Sequence, residues 1–260
     1  MTLKLYPVGI QTILFTLCTL LMTIPAMAQT ATIKSGERPE VLIETTMGNI
    51  RVQLYNETPK HRDNFLKLIR EHHFYDSLLF HRVIPDFMIQ AGDPYSKSAM
   101  KGELLGGHSL DYKLPAEIRL PQLFHKRGAL AAAREADDVN PLHESSSSQF
   151  YIVSGKKFDE EGLQRVKKRL GDSIQMTREM EEQYTTIGGA PHLDGTYTVF
   201  GEVVDGMEVV DRIQRVARDE NDRPLEDVRI IKAVITKDLP GMARRPKKNI
   251  IRRNATRKKI

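Results

Sequence analysis

The sequence predicts a mainly β protein: a closed eight-stranded antiparallel barrel capped by two α-helices, with a helical insertion in one loop. Three observations predict it. Short runs that alternate apolar and polar residues recur between Glu40 and Asp238. Within that span only two main stretches carry apolar residues at helical spacing, while 156–188 departs from the plan with charged, helix-forming residues. Many short strands with few helices bury their apolar faces by curling the sheet onto itself.

Val41 to Thr45 and Ile50 to Tyr55 alternate around Met47-Gly48-Asn49, the pattern of a hairpin with a Gly-Asn turn. Thr58 stands where a helix N-cap belongs and Pro59 at the first helical position, with Phe65, Leu68 and Ile69 on one face of the helix that follows. Strands are expected at Leu79 to Val83, Met88 to Gly92, Gly128 to Ala133, Phe150 to Val153, Tyr197 to Val204 and Val228 to Thr236. A second helix spans Met207 to Ala217, where Val209, Val210, Ile213 and Val216 recur at helical spacing. In 156–188 the runs from Asp159 to Leu170 and from Thr177 to Tyr184 predict a two-helix insertion. Two roles stay open for it: a rim that selects peptides, or a solvated excursion tolerated because added loop length costs little.

Lys4, the apolar stretch from about Val8 to Ile24 and Ala26-Met27-Ala28 form a secretory signal cut after Ala28. The expected product is secreted and periplasmic. Leu17 precedes Cys18 where a lipoprotein signal needs a small residue, so lipidation is not expected. Cys18 is the one cysteine, so the mature chain carries no thiol or disulfide chemistry. Residues 29–39 read as a linker and 40–238 as one domain.

Charge is uneven. Nine of the 39 basic residues lie between Arg244 and Lys259, and Lys4 is in the signal, which leaves 29 against 34 acidic ones in the rest of the chain. Such a run repels itself and buries little apolar surface, so 239–260 is expected to be a disordered basic tail. It suits an anionic envelope surface or an acidic partner; the alternative is a solvated tail with none. Nucleic acid is not expected behind a secretion signal, and the chain is expected to act as a monomer.

The most informative stretch is Phe80-His81-Arg82-Val83-Ile84-Pro85-Asp86-Phe87-Met88-Ile89-Gln90-Ala91-Gly92-Asp93. An arginine does not lose its proton in a protein, so Arg82 cannot act as a base but can hold a carbonyl or a developing lone pair by hydrogen bonds. Further on come Gly128-Ala129-Leu130-Ala131-Ala132-Ala133-Arg134, Ser148-Gln149-Phe150-Tyr151-Ile152 and His192-Leu193-Asp194-Gly195-Thr196-Tyr197-Thr198-Val199-Phe200-Gly201. These four motifs, in this order, resemble those of the cyclophilin family of peptidyl-prolyl cis-trans isomerases. The resemblance covers roughly Glu40 to Asp238.

The resemblance implies that Arg82 is the catalytic cation and that Phe87, Met88, Tyr151 and Leu193 form a proline pocket with Tyr197 at its edge. Gln90, Ala133, Arg134 and Gln149 would line the adjoining groove for the peptide backbone. It implies rotation of X-Pro bonds, with no metal, cofactor or covalent intermediate, and the secretory signal makes unfolded exported proteins the expected clients. The rival reading is a noncatalytic proline-peptide-binding chaperone on the same fold. Tyr151 stands where the family has Phe, Arg134 where it has Asn, Tyr197 where it has His, and His192 where eukaryotic members often have a Trp that contacts cyclosporin. Tight cyclosporin binding is therefore not expected. Asp86 replaces a turn glycine, a position Asp tolerates.

Each of these side chains also has a plainer reading. Apolar residues in barrel strands are usually core. His81 lies on the strand face opposite Arg82 and reads as a packed or hydrogen-bonded histidine rather than an acid-base group. The remaining histidines, including His72-His73, lack ligand spacing, and Ser145 to Ser148 near His143 lack the elbow a hydrolase nucleophile needs.

Overall fold

A computed structural model describes residues 37–239 apart from residue 173. The expected signal at 1–28, most of the linker and nearly all of the basic tail lie outside the described residues. The last three linker residues lie against the body: Pro39 accepts from the Leu54 N–H, Glu37 accepts from Asn56, and the Arg38 guanidinium covers the Tyr55 ring at 4.6 Å.

Eight strands form one antiparallel sheet. In chain order they are β1 (Glu40–Thr45), β2 (Gly48–Leu54), β3 (Phe80–Ile84), β4 (Met88–Ala91), β6 (Ala129–Ala132), β8 (Phe150–Val153), β9 (Val199–Asp205) and β10 (Ile230–Lys237). Two-residue strands β5 (Lys113–Leu114) and β7 (Ser145–Ser146) pair separately. Across the sheet the order is β10-β1-β2-β9-β6-β8-β4-β3.

The closed barrel expected from the sequence is corrected to a curled, half-barrel sheet, because its edge strands β3 and β10 share no continuous ladder. They meet through the irregular chain just before β10. There Leu79 and Arg229 form an isolated bridge, Phe80 N–H donates to Val228, Ile230 N–H donates to Leu78, and Val83 N–H donates to Asp222. Asp222 has φ +61°, so this chain cannot run as a regular strand beside β3.

The sheet's inner face packs on α1 (Pro59–His72) and α4 (Met207–Ile213). Its core includes Val41, Ile43, Ile50, Val52, Phe65, Leu66, Ile89, Leu130, Ile152, Phe200 and Val210. The insertion contains α2 (Glu160–Leu170) and α3 (Arg178–Thr186). α4 stops four residues before its expected end.

Thr58 occupies the N-cap of α1 but makes no cap bond, since its φ of −124° and ψ of 63° lie outside the extended geometry that aims a cap side chain. Glu117, distant in sequence, takes that role: its carboxylate accepts from Lys60 N–H at 3.2 Å, His61 N–H at 3.0 Å and His61 Nδ1 at 2.7 Å. Burial raises the Glu117 pKa, but these donors outweigh burial and hold it below the usual carboxylate range.

Gly92 ends β4 at φ +104°, and a Cβ there would lie 2.2 Å from the Ser148 carbonyl oxygen. Neither backbone can retreat without opening the β4–β8 ladder. Gly92→Ala is therefore expected to destabilise the fold by about 3 kcal/mol, from left-handed strain and overpacking together. Urea unfolding checks this, and a loss below ~1 kcal/mol would contradict it.

Candidate functional site

Strand register assembles the site. Arg82 on β3 is opposite Gln90 on β4, Gln90 is opposite Tyr151 on β8, and Tyr151 is opposite Ala131 on β6. Because side chains alternate along a strand, these four share one face. Their neighbours Val83, Ile89, Ile152 and Leu130 point to the core on the other. On the same outer face Met88, Tyr151, Ala129, Ala131, Leu193 and Val199 form a second apolar cluster flanked by Phe87, Ala133 and Tyr197.

This arrangement leaves a hollow of about 140 Å³ lined by Arg82, Phe87, Met88, Gln90, Ala133, Arg134, Tyr151, Leu193 and Tyr197. Nine of the ten residues singled out from the sequence thus surround one space. Gln149 lies outside it, in an adjoining hollow of about 540 Å³ whose lining also includes Gln90, Ala133, Arg134, Gly106 and His108. Gln90 Nε2 donates to Gln149 Oε1 at 2.8 Å, and Gln149 Nε2 donates to the carbonyls of Gly106 and His108 at 2.9 and 2.6 Å. This chain of amides links the two hollows.

Phe87 follows Asp86, whose φ of +58° turns the chain so that Phe87 forms one wall. The His192 ring backs Phe87 at 5.1 Å. Burial first, then the neighbouring His125 and Arg169, lowers the His192 pKa.

Arg82 is exposed on the rim. Among the described residues its one ion-pair partner is Asp222, with Arg82 Nε 3.8 Å from Oδ2, too far for a hydrogen bond. Nothing in the sequence signalled Asp222, whose position depends on the chain returning past β3. Arg134 is the opposite case. It donates to Thr196 O and Glu135 O at 2.8 Å each, pairs with Asp137 at 2.6 Å, and covers the Tyr197 ring at 4.3 Å. One arginine has donors to offer at the rim; the other is spent on holding the Tyr197 wall.

Sequence reasoning missed His125 and Asp194. Tyr151 and His125 Nε2 are 2.9 Å apart, and His125 Nδ1 and Asp194 Oδ1 are 2.9 Å apart. Burial pushes the Tyr151 hydroxyl well above its ordinary pKa, so it keeps its proton. The extra hydroxyl at 151, relative to a phenylalanine, thus points away from the hollow into a polar partner. A signal was available: Tyr at a position whose neighbours are core needs a buried acceptor.

On the other side of Phe87, the insertion bounds a hollow of about 670 Å³ lined by residues that include Lys156, Lys157, Arg165, Arg169 and His192.

The chemistry available at the first hollow is therefore noncovalent: an apolar recess sized for a small ring, an exposed guanidinium at its rim and oriented amides along one side. The sequence profile described as "Cyclophilin type peptidyl-prolyl cis-trans isomerase/CLD" matches residues 40–235. A Streptococcus pyogenes protein described as a putative bifunctional phosphatase/peptidyl-prolyl cis-trans isomerase is 37% identical over 193 residues, which cover 73% of this chain but 37% of that protein. The Schizosaccharomyces pombe peptidyl-prolyl cis-trans isomerase ppi1 is 33% identical over 197 residues, covering 75% of this chain and 97% of that one. Among solved structures, a Cryptosporidium parvum cyclophilin type peptidyl-prolyl cis-trans isomerase superposes with a TM-score of 0.55 at 24% identity, covering 78% of this chain and 99% of its own. The same protein solved in the presence of the dipeptide Ala-Pro gives a TM-score of 0.53 at 24% identity, covering 76% and 99%.

Proposed function

The chain belongs to the cyclophilin-type peptidyl-prolyl cis-trans isomerase family, and we propose that it accelerates X-Pro bond rotation at the 140 Å³ hollow, with Arg82 as the group that favours the twisted state. The observation that carries this reading is the strand register that sets Arg82 beside an apolar, proline-sized recess. At ~30 Å³ per water the recess has room for only about five waters, the scale of a pyrrolidine ring.

The X-Pro amide turns slowly because conjugation stiffens the C–N bond, with a barrier of ~18–20 kcal/mol. Twisting breaks conjugation and leaves a pyramidal, basic nitrogen. Arg82 donates to that nitrogen, or restrains the prolyl carbonyl, better in the twisted state than in either planar isomer. Phe87, Met88, Tyr151, Leu193 and Tyr197 grip the ring while Gln90, Ala133, Arg134 and Gln149 flank the peptide backbone. Drying the amide favours its less polar twisted form.

Its substrates on this reading are proline-containing segments of exported proteins, because the first 28 residues have the form of a cleaved secretory signal. The charged hollow beside Phe87 supports a role for the insertion in choosing peptides, and the nine basic residues near the C-terminus suit an anionic envelope surface.

The activity is tested by NMR exchange between cis and trans forms of an Ala-Ala-Pro-Phe peptide. Catalytic amounts of protein are expected to broaden and exchange the two proline signals. A protein that binds the peptide without accelerating exchange would instead be a binding module.

A further inference from the structure

We infer that the helical insertion positions the proline recess through a buried relay, Tyr184–Asp194–His125–Tyr151, with Tyr184 as a positioning residue; this rests on the isomerase reading above. The four side chains come from α3, the turn after Leu193, the chain before β6, and β8. All four residues are at most 4% exposed.

Each link has hydrogen-bond geometry. The Tyr184 hydroxyl donates to Asp194 Oδ2 at 2.5 Å. Asp194 Oδ1 accepts from the His125 backbone N–H at 2.9 Å and from its Nδ1 at 2.9 Å. An ionised carboxylate is acceptor-only, so Nδ1 carries the hydrogen. In the neutral ring Nε2 is then the acceptor, and the Tyr151 hydroxyl donates to it at 2.9 Å. Burial and the nearby Asp194 charge push the Tyr184 hydroxyl far above its ordinary range, which keeps it a donor.

The relay ends on two walls of the recess. Tyr151 is one, and Leu193, next to Asp194 in the chain, is another. Fixing the Asp194 carboxylate therefore fixes both. Tyr184 supplies one of its three donors, and it belongs to the insertion rather than to the sheet.

Packing supports the same link. Phe124, beside His125, meets the Tyr184 ring edge-on at 5.6 Å, and both join Leu163 and Met180 in a separate apolar cluster. Gly189 permits the approach: a Cβ there would lie 2.3 Å from the His125 carbonyl oxygen and 2.6 Å from the Tyr184 ring. A solvated excursion would need none of these contacts. Fixing a binding wall by buried hydrogen bonds to groups behind it is a general way to hold geometry.

The test is a double-mutant cycle with Tyr184→Phe and Tyr151→Phe, because each keeps its ring and removes only the hydroxyl. kcat/KM for Ala-Ala-Pro-Phe and the Kd of the same peptide are measured for all four full-length proteins. The His125 Hδ1 resonance and Tyr151 ring flipping are followed by NMR. We expect Tyr184→Phe alone to lower kcat/KM about three- to tenfold, shift the His125 Hδ1 signal and speed the ring flip. In the Tyr151→Phe background its further effect on activity should be clearly smaller, since only the route through Leu193 remains. Losses that simply add, or an unchanged Tyr151 ring, would overturn the relay, since a general loss of stability acts whether or not the Tyr151 hydroxyl is present. If the parent chain fails to accelerate isomerisation, the isomerase reading falls, while non-additivity in Kd and the two NMR signals still decide the relay.

Discussion

Arg82→Ala is expected to lower kcat/KM for an Xaa-Pro peptide by one to two decades while the peptide's Kd changes less than threefold. The magnitude follows from one charge-assisted hydrogen bond of ~1.5–3 kcal/mol, at ~1.4 kcal/mol per factor of ten. The split follows from position. Arg82 is on the exposed rim, with its one ion-pair partner among the described residues 3.8 Å away, so its loss removes none of the apolar side chains that line the recess. Arg82→Lys is expected to recover little, because a point charge does not reproduce the planar fork of donors. NMR exchange rates and peptide titrations on the same samples separate the outcomes. Activity retained within threefold in Arg82→Ala would remove Arg82 from the mechanism and leave geometry and desolvation as its whole basis. Equal losses in binding and turnover would make it a ground-state contact.

Acid should destabilise the fold through the neighbouring His81, by ~3 kcal/mol between neutral pH and pH 4. His81 is 3% exposed, and its ring nitrogens make no well-formed hydrogen bond, the Leu79 backbone and the Gln149 amide being polar neighbours that only partly offset burial. Burial is the main cause that lowers its pKa to about 4; Arg82 adds to the effect and Asp93 opposes it. Below pH 6.5 the unfolded chain takes up a proton that the folded chain refuses until about pH 4. The unfolded state thus binds more protons across that window, so stability is flat above pH 6.5, falls as pH drops, and levels below 4. His81→Phe keeps the packing and removes the titration. Urea unfolding of both proteins at several pH values should show a shallower acid limb in the variant, with little difference at pH 8. Glu117, held below the usual carboxylate range, contributes its own loss at lower pH and cancels in the comparison. Identical acid limbs would mean that His81 finds a proton-bonding partner on acidification.

His81 also shows where a sequence reading stops. The strand alternation put it opposite Arg82, and it is buried there while Arg82 is exposed. Whether it would be hydrogen-bonded was not legible, since that depends on which groups the rest of the chain brings near. The same limit applies at Thr58. Its identity and the Pro after it mark the start of α1, but the cap bonds come from Glu117, 57 positions beyond Lys60. Sheet closure is a third case. Counting strands gives eight, yet closure requires the two edge strands to match length and register, and the left-handed turn at Asp222 leaves β3 and β10 joined only at points.

The sequence by itself determined the family, the order of the eight main strands and the four helices, the four-motif set and, outside the bulge between Phe80 and Arg82, the face on which each strand residue of the motifs stands. These follow from local patterns, because a strand's period of two assigns every side chain to one face as soon as one is assigned. Only the tertiary structure decided that the sheet curls without closing, that a distant carboxylate caps α1, and that Tyr184 on the insertion reaches the recess through Asp194 and His125. Those outcomes rest on hydrogen bonds between residues far apart in the chain. A buried donor must find an acceptor, but which one it finds is fixed by how the strands and loops fold back on one another.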